Sequence, residues 1–344
     1  MIVETIIIVA IIVLALFLFL YIMLKGKIIS EKFKTFKLKV LLLVGSDEIA
    51  KKYALKIVDK FPKNYFAHKT LGQLYEKEGN NSVALDEYIR AVELNEKDYE
   101  MHFKVAELLQ KTEKNEEAII MLQDLLKMKP DYLQATLLLG NILYDEERFK
   151  EAVSVYMSAI QYHPIEYELY YNIGMAYTML NDFQRAKEFY KRAAKLNTYL
   201  YNGQYNLALI AMIQGELDEA EQRLLRTIKQ EELEPIGYFH LAQIAMLKGE
   251  NEKAINYINI ALELDKNIES KIEEQELFIP IQDKIKIPDE PNRKIKITLS
   301  EREIKTNNYL EEMYNLVDSL NGGSVFKPKE EIQIEEQIEE EKER

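Results

Sequence analysis

No cysteine occurs among the 344 residues. That excludes disulfides, cysteine-based zinc sites and thiol nucleophiles, and it leaves the redox compartment open, because a chain without thiols suits either. Positive charge is also scarce: 45 Lys and Arg face 58 Asp and Glu, for a net charge of −13. A nucleic-acid binder needs a basic surface, so no nucleic-acid partner is expected. The 12 glycines are scattered or sit at repeat positions, and none forms a phosphate-cradling loop. His68, His102, His163 and His240 do not have metal-ligand spacing. The many acidic residues follow helix surfaces. We therefore expect no enzyme, catalytic residue, cofactor, metal or small-molecule substrate; an activity confined to residues 280–344 is the alternative.

One apolar run stands out. Thr5–Leu24 reads TIIIVAIIVLALFLFLYIML, without a charge. At about 1.5 Å per residue it spans the ~30 Å of bilayer hydrocarbon. A signal peptide has a basic start, a shorter run and a small-residue cleavage site; here the start is MIVE and lysine-rich sequence follows, which suits a retained anchor. Lys25, Lys27, Lys32, Lys34, Lys37 and Lys39 are opposed only by Glu31. The positive-inside rule then gives a single-pass cell-membrane protein with its N-terminus outside and its C-terminal domain cytoplasmic. Two readings of Lys25–Lys39 stay open. With Ile28, Ile29, Phe33 and Phe36 they hold membrane lipid, or they serve only as a topology signal.

From Tyr65 a 34-residue period fits six times without a gap, starting at Tyr65, Tyr99, Leu133, Tyr167, Tyr201 and Pro235. Position 8 is small (Gly72, Ala106, Gly140, Gly174, Ala208, Ala242) and position 20 is always Ala (Ala84, Ala118, Ala152, Ala186, Ala220, Ala254). Position 24 is large: Tyr88, Leu122, Tyr156, Tyr190, Leu224, Ile258. Positions 4, 7, 8 and 11 share one face of a first helix, and 20, 24 and 27 one face of a second. Small residues at 8 and 20 let the two axes approach closely, and each hairpin needs its neighbours to cover its apolar face.

This pattern resembles the tetratricopeptide repeat (TPR) family over residues 65–268, with Pro130 and Pro164 at the family's position-32 proline. The resemblance implies an all-α TPR solenoid, a right-handed superhelix of hairpins, here with an N-terminal transmembrane helix and a small irregular C-terminal extension. The expected organisation is an anchor at 1–26, a basic juxtamembrane segment with a degenerate capping repeat at 27–64, six units at 65–268, a solvating helix at 269–281, a hairpin plus amphipathic helix at 282–320, and an acidic tail at 321–344. The capping repeat rests on Ala50 and Pro62, one period before Ala84 and at the position-32 place. The layout is also similar to bacterial TPR regulators of lipopolysaccharide assembly, which carry a Cys-rich metal domain; this chain has none of those cysteines.

In the TPR family, positions 2, 5, 6, 9, 12 and 13 line a concave groove for peptides. The first two units carry Lys69, Gln73, Glu76, Lys104, Glu107 and Lys111 there, a mixed charged face. Later units carry Asn141, Tyr144, Tyr171, Asn172, Met175, Tyr205, Asn206, Leu209, Met212, Phe239, His240 and Gln243. Apolar exposed area marks interaction sites and Met suits adaptable surfaces. Asn172 and Asn206, both at position 6, resemble a short peptide-gripping ladder. These twelve residues are the candidate partner-binding set for a protein or peptide. Filling of the groove by the C-terminal segment, or plain packing, remains open.

Beyond the repeats, DKIKIPDEPNRKIKITL alternates Ile and Lys around a Pro-rich turn, either a strand hairpin or an extended linker. Ser300 and Glu303 then form a capping box, followed at helical spacing by Ile304, Leu310, Met313, Leu316, Val317 and Leu320. The glutamate-rich end reads as a solvating, disordered tail. The preferred reading is a membrane-anchored scaffold that recruits or regulates a partner at the cytoplasmic face. The alternative is an accessory subunit of an envelope assembly or secretion complex with its repeats outside.

Overall fold

The computed structural model describes residues 30–230, 233–288 and 299–320, with isolated positions at Phe17, Tyr21, Lys25, Gly26 and Ile28; of 317–320 it describes the backbone alone. The expected membrane span and the acidic tail lie outside the described residues, Phe17 and Tyr21 apart. No helix among the described residues is long and apolar enough to cross a membrane.

All regular structure among the described residues is helical. Residues 30–43 form α1. There follow α2 (Asp47–Lys60), α3 (Tyr65–Lys77), α4 (Asn81–Leu94), α5 (Tyr99–Lys111), α6 (Asn115–Met128), α7 (Leu133–Asp145) and α8 (Phe149–Ile160). Then come α9 (Tyr167–Met179), α10 (Phe183–Leu196), α11 (Tyr201–Ile213), α12 (Leu217–Thr227), α13 (Glu234–Leu247), α14 (Asn251–Leu264), α15 (Ile268–Glu273), a 3-10 helix (Glu276–Lys284) and α16 (Glu301–Leu320). Two compact units result, Met1–Ile142 and Leu143–Arg344.

The repeat arithmetic becomes geometry at three places. First, all six position-20 alanines are fully buried. Second, the turn residue at position 15 is left-handed in every unit: Gly79, Glu113, Glu147, Asn181, Gly215 and Gly249 all have positive φ. The residue after each donates its N–H to a carbonyl five back, as Asn80 does to Tyr75 and Asp182 to Tyr177, which closes the first helix. Gly45, one period before Gly79, does the same with Ser46 and Leu41, so α1 and α2 form a seventh hairpin on the same plan. Third, a Cβ added to Gly72 would lie 2.4 Å from the Tyr88 ring, and one on Gly174 would lie 2.7 Å from Tyr190. In the sequence every Gly at position 8 goes with Tyr at 24, and every Ala at 8 goes with Leu or Ile at 24. The two positions share one fixed volume between the helix pair.

In the first unit, Leu38, Ala50, Ala54, Ile57, Phe61, Ala67 and Leu71 build the core that joins α1 and α2 to α3. Asn64 caps α3 through Ala67 N–H at 2.9 Å and donates its amide to Glu31 and Thr35 of α1. His68 bonds Glu87 at 2.6 Å and the Pro62 carbonyl at 2.9 Å, and His102 bonds the Asp98 carbonyl at 2.9 Å, so both are packed histidines. Among the described residues no cluster suited to a metal occurs.

In the second unit, the solvating helix expected up to residue 281 is split. α15 ends at Glu273 and a 3-10 helix carries the rest, because Ile268, Ile272, Phe278 and Ile281 must wrap around Phe239, Ala261 and Leu262 of the last hairpin. The strand hairpin is not found in its described part. Asp283 and Lys284 end the 3-10 helix, 285–288 form no ladder, and 289–298 lie outside the described residues. The capping box forms: Ser300 N–H and Oγ both donate to Glu303, at 2.9 and 2.8 Å.

Candidate functional site: the groove of the second unit

The inner faces of α9 and α11 meet α16, the chain's own C-terminal helix. Its seated side is Thr306, Asn307, Leu310 and Tyr314, all buried. This differs from the apolar stripe read in the sequence. Leu310 takes part, but Ile304 and Met313 are half-buried and Leu316 is exposed. The groove floor selects that side because it presents hydroxyls and amides.

The contacts run along the helix. Tyr144 and Thr306 hydroxyls lie 2.7 Å apart. Tyr171 donates to Glu303 at 3.2 Å, and Asn202 Nδ2 donates to the Tyr171 oxygen at 2.5 Å. Asn307 Nδ2 donates to Asn202 Oδ1 at 2.9 Å. Tyr205 donates to Glu311 at 2.7 Å, and Lys271 pairs with the same carboxylate at 2.6 Å. At the rim, Arg302 meets Asp145 at 3.1 Å, Lys305 meets Glu147 at 2.9 Å, and Tyr309 donates to Asn181 at 2.8 Å. Burial pushes the Tyr144 phenol up to about 12 and holds those of Tyr171 and Tyr205 well above the ordinary phenol value, so all three are protonated at neutral pH. Buried hydrogen bonds to carboxylates contribute roughly 1.5–3 kcal/mol each, whereas the rim ion pairs are worth about 1 kcal/mol or less.

Of the twelve candidates, eleven lie in the second unit. Tyr144, Tyr171, Asn172, Met175, Tyr205, Asn206, Leu209, Met212, Phe239, His240 and Gln243 are all buried rather than an open face. Asn141, in the first unit, is half-buried. Tyr144, Tyr171 and Tyr205 touch α16 directly. Phe239 instead packs on Phe278, ring centroids 5.8 Å apart, and Gln243 donates to Gln275 at 2.6 Å, so both serve the end cap. His240 Nδ1 lies 2.5 Å from Gln243 Oε1 and its Nε2 is 3.1 Å from Tyr205; burial holds its pKa below the ordinary value. Asn206 donates to Tyr190 at 3.2 Å, while its Oδ1 is buried without a partner among the described residues, as is Asn307 Oδ1. It is not a ladder rung on α16, whose backbone N–H groups are spent inside the helix. Asn202 was missed by sequence reasoning. It is the hub of the seat, and position 2 of its unit was its only sequence signal.

The first unit has the same face without a described occupant. A groove of about 550 Å³ is lined by Lys69, Gln73, Glu76, Phe103, Lys104 and Glu107 among others. Lys104 pairs with Glu76 at 3.0 Å, Lys69 with Asp98 at 3.4 Å, and Tyr88 donates to Glu76 at 2.9 Å.

Comparison with known families and structures agrees with this geometry. The tetratricopeptide repeat family matches residues 167–197, and a second tetratricopeptide pattern matches 106–161 and 205–267. A domain of unknown function, DUF7017, matches 33–133. Among solved structures, the C-terminal part of a TPR repeat-containing protein from Cytophaga hutchinsonii is 15% identical with a TM-score of 0.60, covering 70% of this chain and 98% of that one. YrrB, described as a TPR protein with an unusual peptide-binding site, is 20% identical over 47% of this chain and 83% of its own, at a TM-score of 0.42. MamA from Desulfovibrio magneticus RS-1 is 19% identical over 49% and 94%, at 0.43. No curated protein sequence matches. The hairpins within 106–161, 167–197 and 205–267 match tetratricopeptide repeats, and the fold of the described residues is all-α.

Proposed function

We propose that this tetratricopeptide-repeat chain is a membrane-anchored scaffold that captures a protein partner in the groove of its second unit, at the cytoplasmic membrane face, with α16 as the resident competitor. The observation that carries the reading is the mismatch inside the seat. α16 satisfies the tyrosines and Asn202, while Asn206 Oδ1, on the same α11 that carries Asn202 and Tyr205, is buried without a partner among the described residues. An orphan of this kind costs about 1–3 kcal/mol. An extended partner segment offers a backbone N–H that a helix does not, and it would recover that cost. Besides buried Leu310 and Tyr314, α16 is held by polar contacts that water or another polar segment can replace, so it suits exchange. The membrane part of the proposal rests on the uncharged Thr5–Leu24 run and the lysines after it. The groove is assigned to binding, with no catalytic step. The likeness to lipopolysaccharide-assembly regulators rests on layout alone and supplies no partner.

The test is a photo-crosslinking residue at Tyr171 in cells, in the wild type and in Glu303→Gln with Glu311→Gln, which loosens α16. The proposal predicts an internal α16 adduct that falls in the variant while one discrete partner adduct rises. An internal adduct alone in both forms contradicts it. Protease added outside intact cells should leave the repeats uncut; cleavage would favour the outward-facing accessory subunit.

A further inference from the structure

α1 has two opposite faces, and only one is used by the fold. Leu38 is fully buried, Leu41 and Leu42 pack against the first-unit core, and Glu31 and Thr35 hold Asn64. On the far side, Phe33 (68% exposed), Phe36 (64%), Val40 (40%), Leu43 (87%) and Val44 (73%) lie bare. Their spacing of 3, 4, 3 and 1 puts them on one helical stripe at 100° per residue. Five large apolar side chains in one stripe form the contiguous kind of patch that soluble surfaces avoid.

The charges around the stripe have one sign. Lys32 and Lys39 fall on one edge and Lys37 on the other, all on the solvent side. Glu31, the one acidic residue between Lys25 and Lys39, accepts from Asn64 at 2.8 Å, and its single charge leaves the lysines in excess. Lys37 and Lys39 also cover the Tyr53 and Phe66 rings at 5.2 and 5.0 Å, leaving their ammonium groups at the border between stripe and body. An apolar stripe edged by lysines matches the boundary between acyl chains and anionic headgroups, where the stems stay in the apolar layer and the ammonium groups reach the phosphates.

We propose that α1 is an interfacial helix: its Phe33–Phe36–Val40–Leu43 stripe, continued by Val44 in the turn that follows, lies in the surface of an anionic bilayer and seats the first unit against it. This rests on the membrane-anchored reading above and names what the lysine-rich segment binds. Charge complementarity and chain continuity with Thr5–Leu24 select lipid over a second copy of the chain, whose identical lysines would face each other. Lys25, Gly26 and Ile28 are helical, as is the chain from Ser30, so lying in the bilayer surface requires a bend made on the membrane, and Gly26 is the residue there that resists it least.

Because the chain has no cysteine, single nitroxide labels are unambiguous. The full chain is placed in phosphatidylglycerol or phosphatidylcholine nanodiscs with a label at Val40→Cys, Leu43→Cys or, as control, Lys52→Cys on the exposed side of α2. The expected result is a several-fold higher ratio of oxygen to nickel-chelate accessibility at 40 and 43 than at 52 in phosphatidylglycerol, reduced in phosphatidylcholine and by high salt. Ratios at 40 and 43 equal to 52, with the chain still in the disc, overturn the interfacial helix and leave the anchor intact. Labels shielded from both probes, with spin–spin broadening between copies, overturn it in favour of self-association. Failure of the chain to enter discs removes the anchor itself, and the proposal with it. Phe33→Ser with Phe36→Ser, far from the packed face, should lower the ratio without unfolding α2 and α3; an unchanged ratio counts against the stripe.

Discussion

The two units present the same groove positions with opposite chemistry. In the first, Lys69, Glu76, Lys104 and Glu107 line an open trough, with Lys104 paired to Glu76 and Glu107 and Lys69 paired to Asp98. In the second, Tyr144, Tyr171, Asn202 and Tyr205 lie buried beneath α16. The helical framework is one plan repeated, so the difference comes only from side chains that the plan leaves free. Charged groups on an inner face mean it is content with water. Tyrosine, asparagine and methionine there mean it expects to be covered.

The largest way to break that comparison is to remove residues 299–344. The second unit then loses the burial of Leu310 and Tyr314, about 1.5–3 kcal/mol each, and several buried hydrogen bonds of about 1–3 kcal/mol each, offset in part by the freed helix. Its thermal unfolding should shift down and it should bind an apolar dye, with no change in amide exchange of α2–α5. Equal loss in both units would mean that the contrast is not local.

Next in size is the shared framework. Gly72→Ala and Gly174→Ala each force a methyl to 2.4 or 2.7 Å from a tyrosine ring and should cost roughly 1–3 kcal/mol. Adding Tyr88→Leu or Tyr190→Leu should recover part of the loss in a double-mutant cycle of denaturant unfolding. Additive costs would refute the shared-volume rule.

A smaller effect is expected at the hub. Asn202→Ala strands the Asn307 amide and takes one donor from the Tyr171 hydroxyl, which keeps its bond to Glu303, at about 1–2 kcal/mol. Amide exchange should quicken in α16 and stay unchanged in α3–α6.

The smallest effect separates the units by pH. Glu87, then the Pro62 carbonyl, raises the His68 pKa above its ordinary 6.5, so its contribution is full below pH 6.5 and is lost as pH rises through the folded value. Burial lowers His240, so the second unit loses stability as pH falls below 6.5 toward the folded value. The stability difference from His68→Gln should grow on acidification and that from His240→Gln should shrink, by two-dimensional NMR titration and denaturant unfolding.

Much of the fold was legible because a 34-residue period leaves no freedom: Ala at 20, a small residue at 8 and a turn at 15 are each fixed by contact between two helices. The Gly–Tyr and Ala–Leu pairing was also visible in the letters, though its cause needed the ring positions. The groove residues were legible as a set, but not their occupant. α16 seats by Thr306, Asn307 and Tyr314, polar types that a search for an apolar stripe passes over. Asn202 carries no periodic mark because its partners lie 31 and 105 residues away. Ile–Lys alternation fits any one-sided burial, so it left the hairpin and the extended linker open; the segment lies mostly outside the described residues, and its described start, Asp283 and Lys284, closes the 3-10 helix.

The central claim is that α16 fills the second-unit groove in the same chain. Nitroxide labels at Gln184→Cys and Glu312→Cys, both exposed positions in a chain with no native cysteine, test it most directly by pulsed electron spin distance measurement. The account predicts one narrow distance distribution that broadens when Glu303→Gln and Glu311→Gln are added. A broad distribution in the wild type, indistinguishable from the loosened variant, would contradict it.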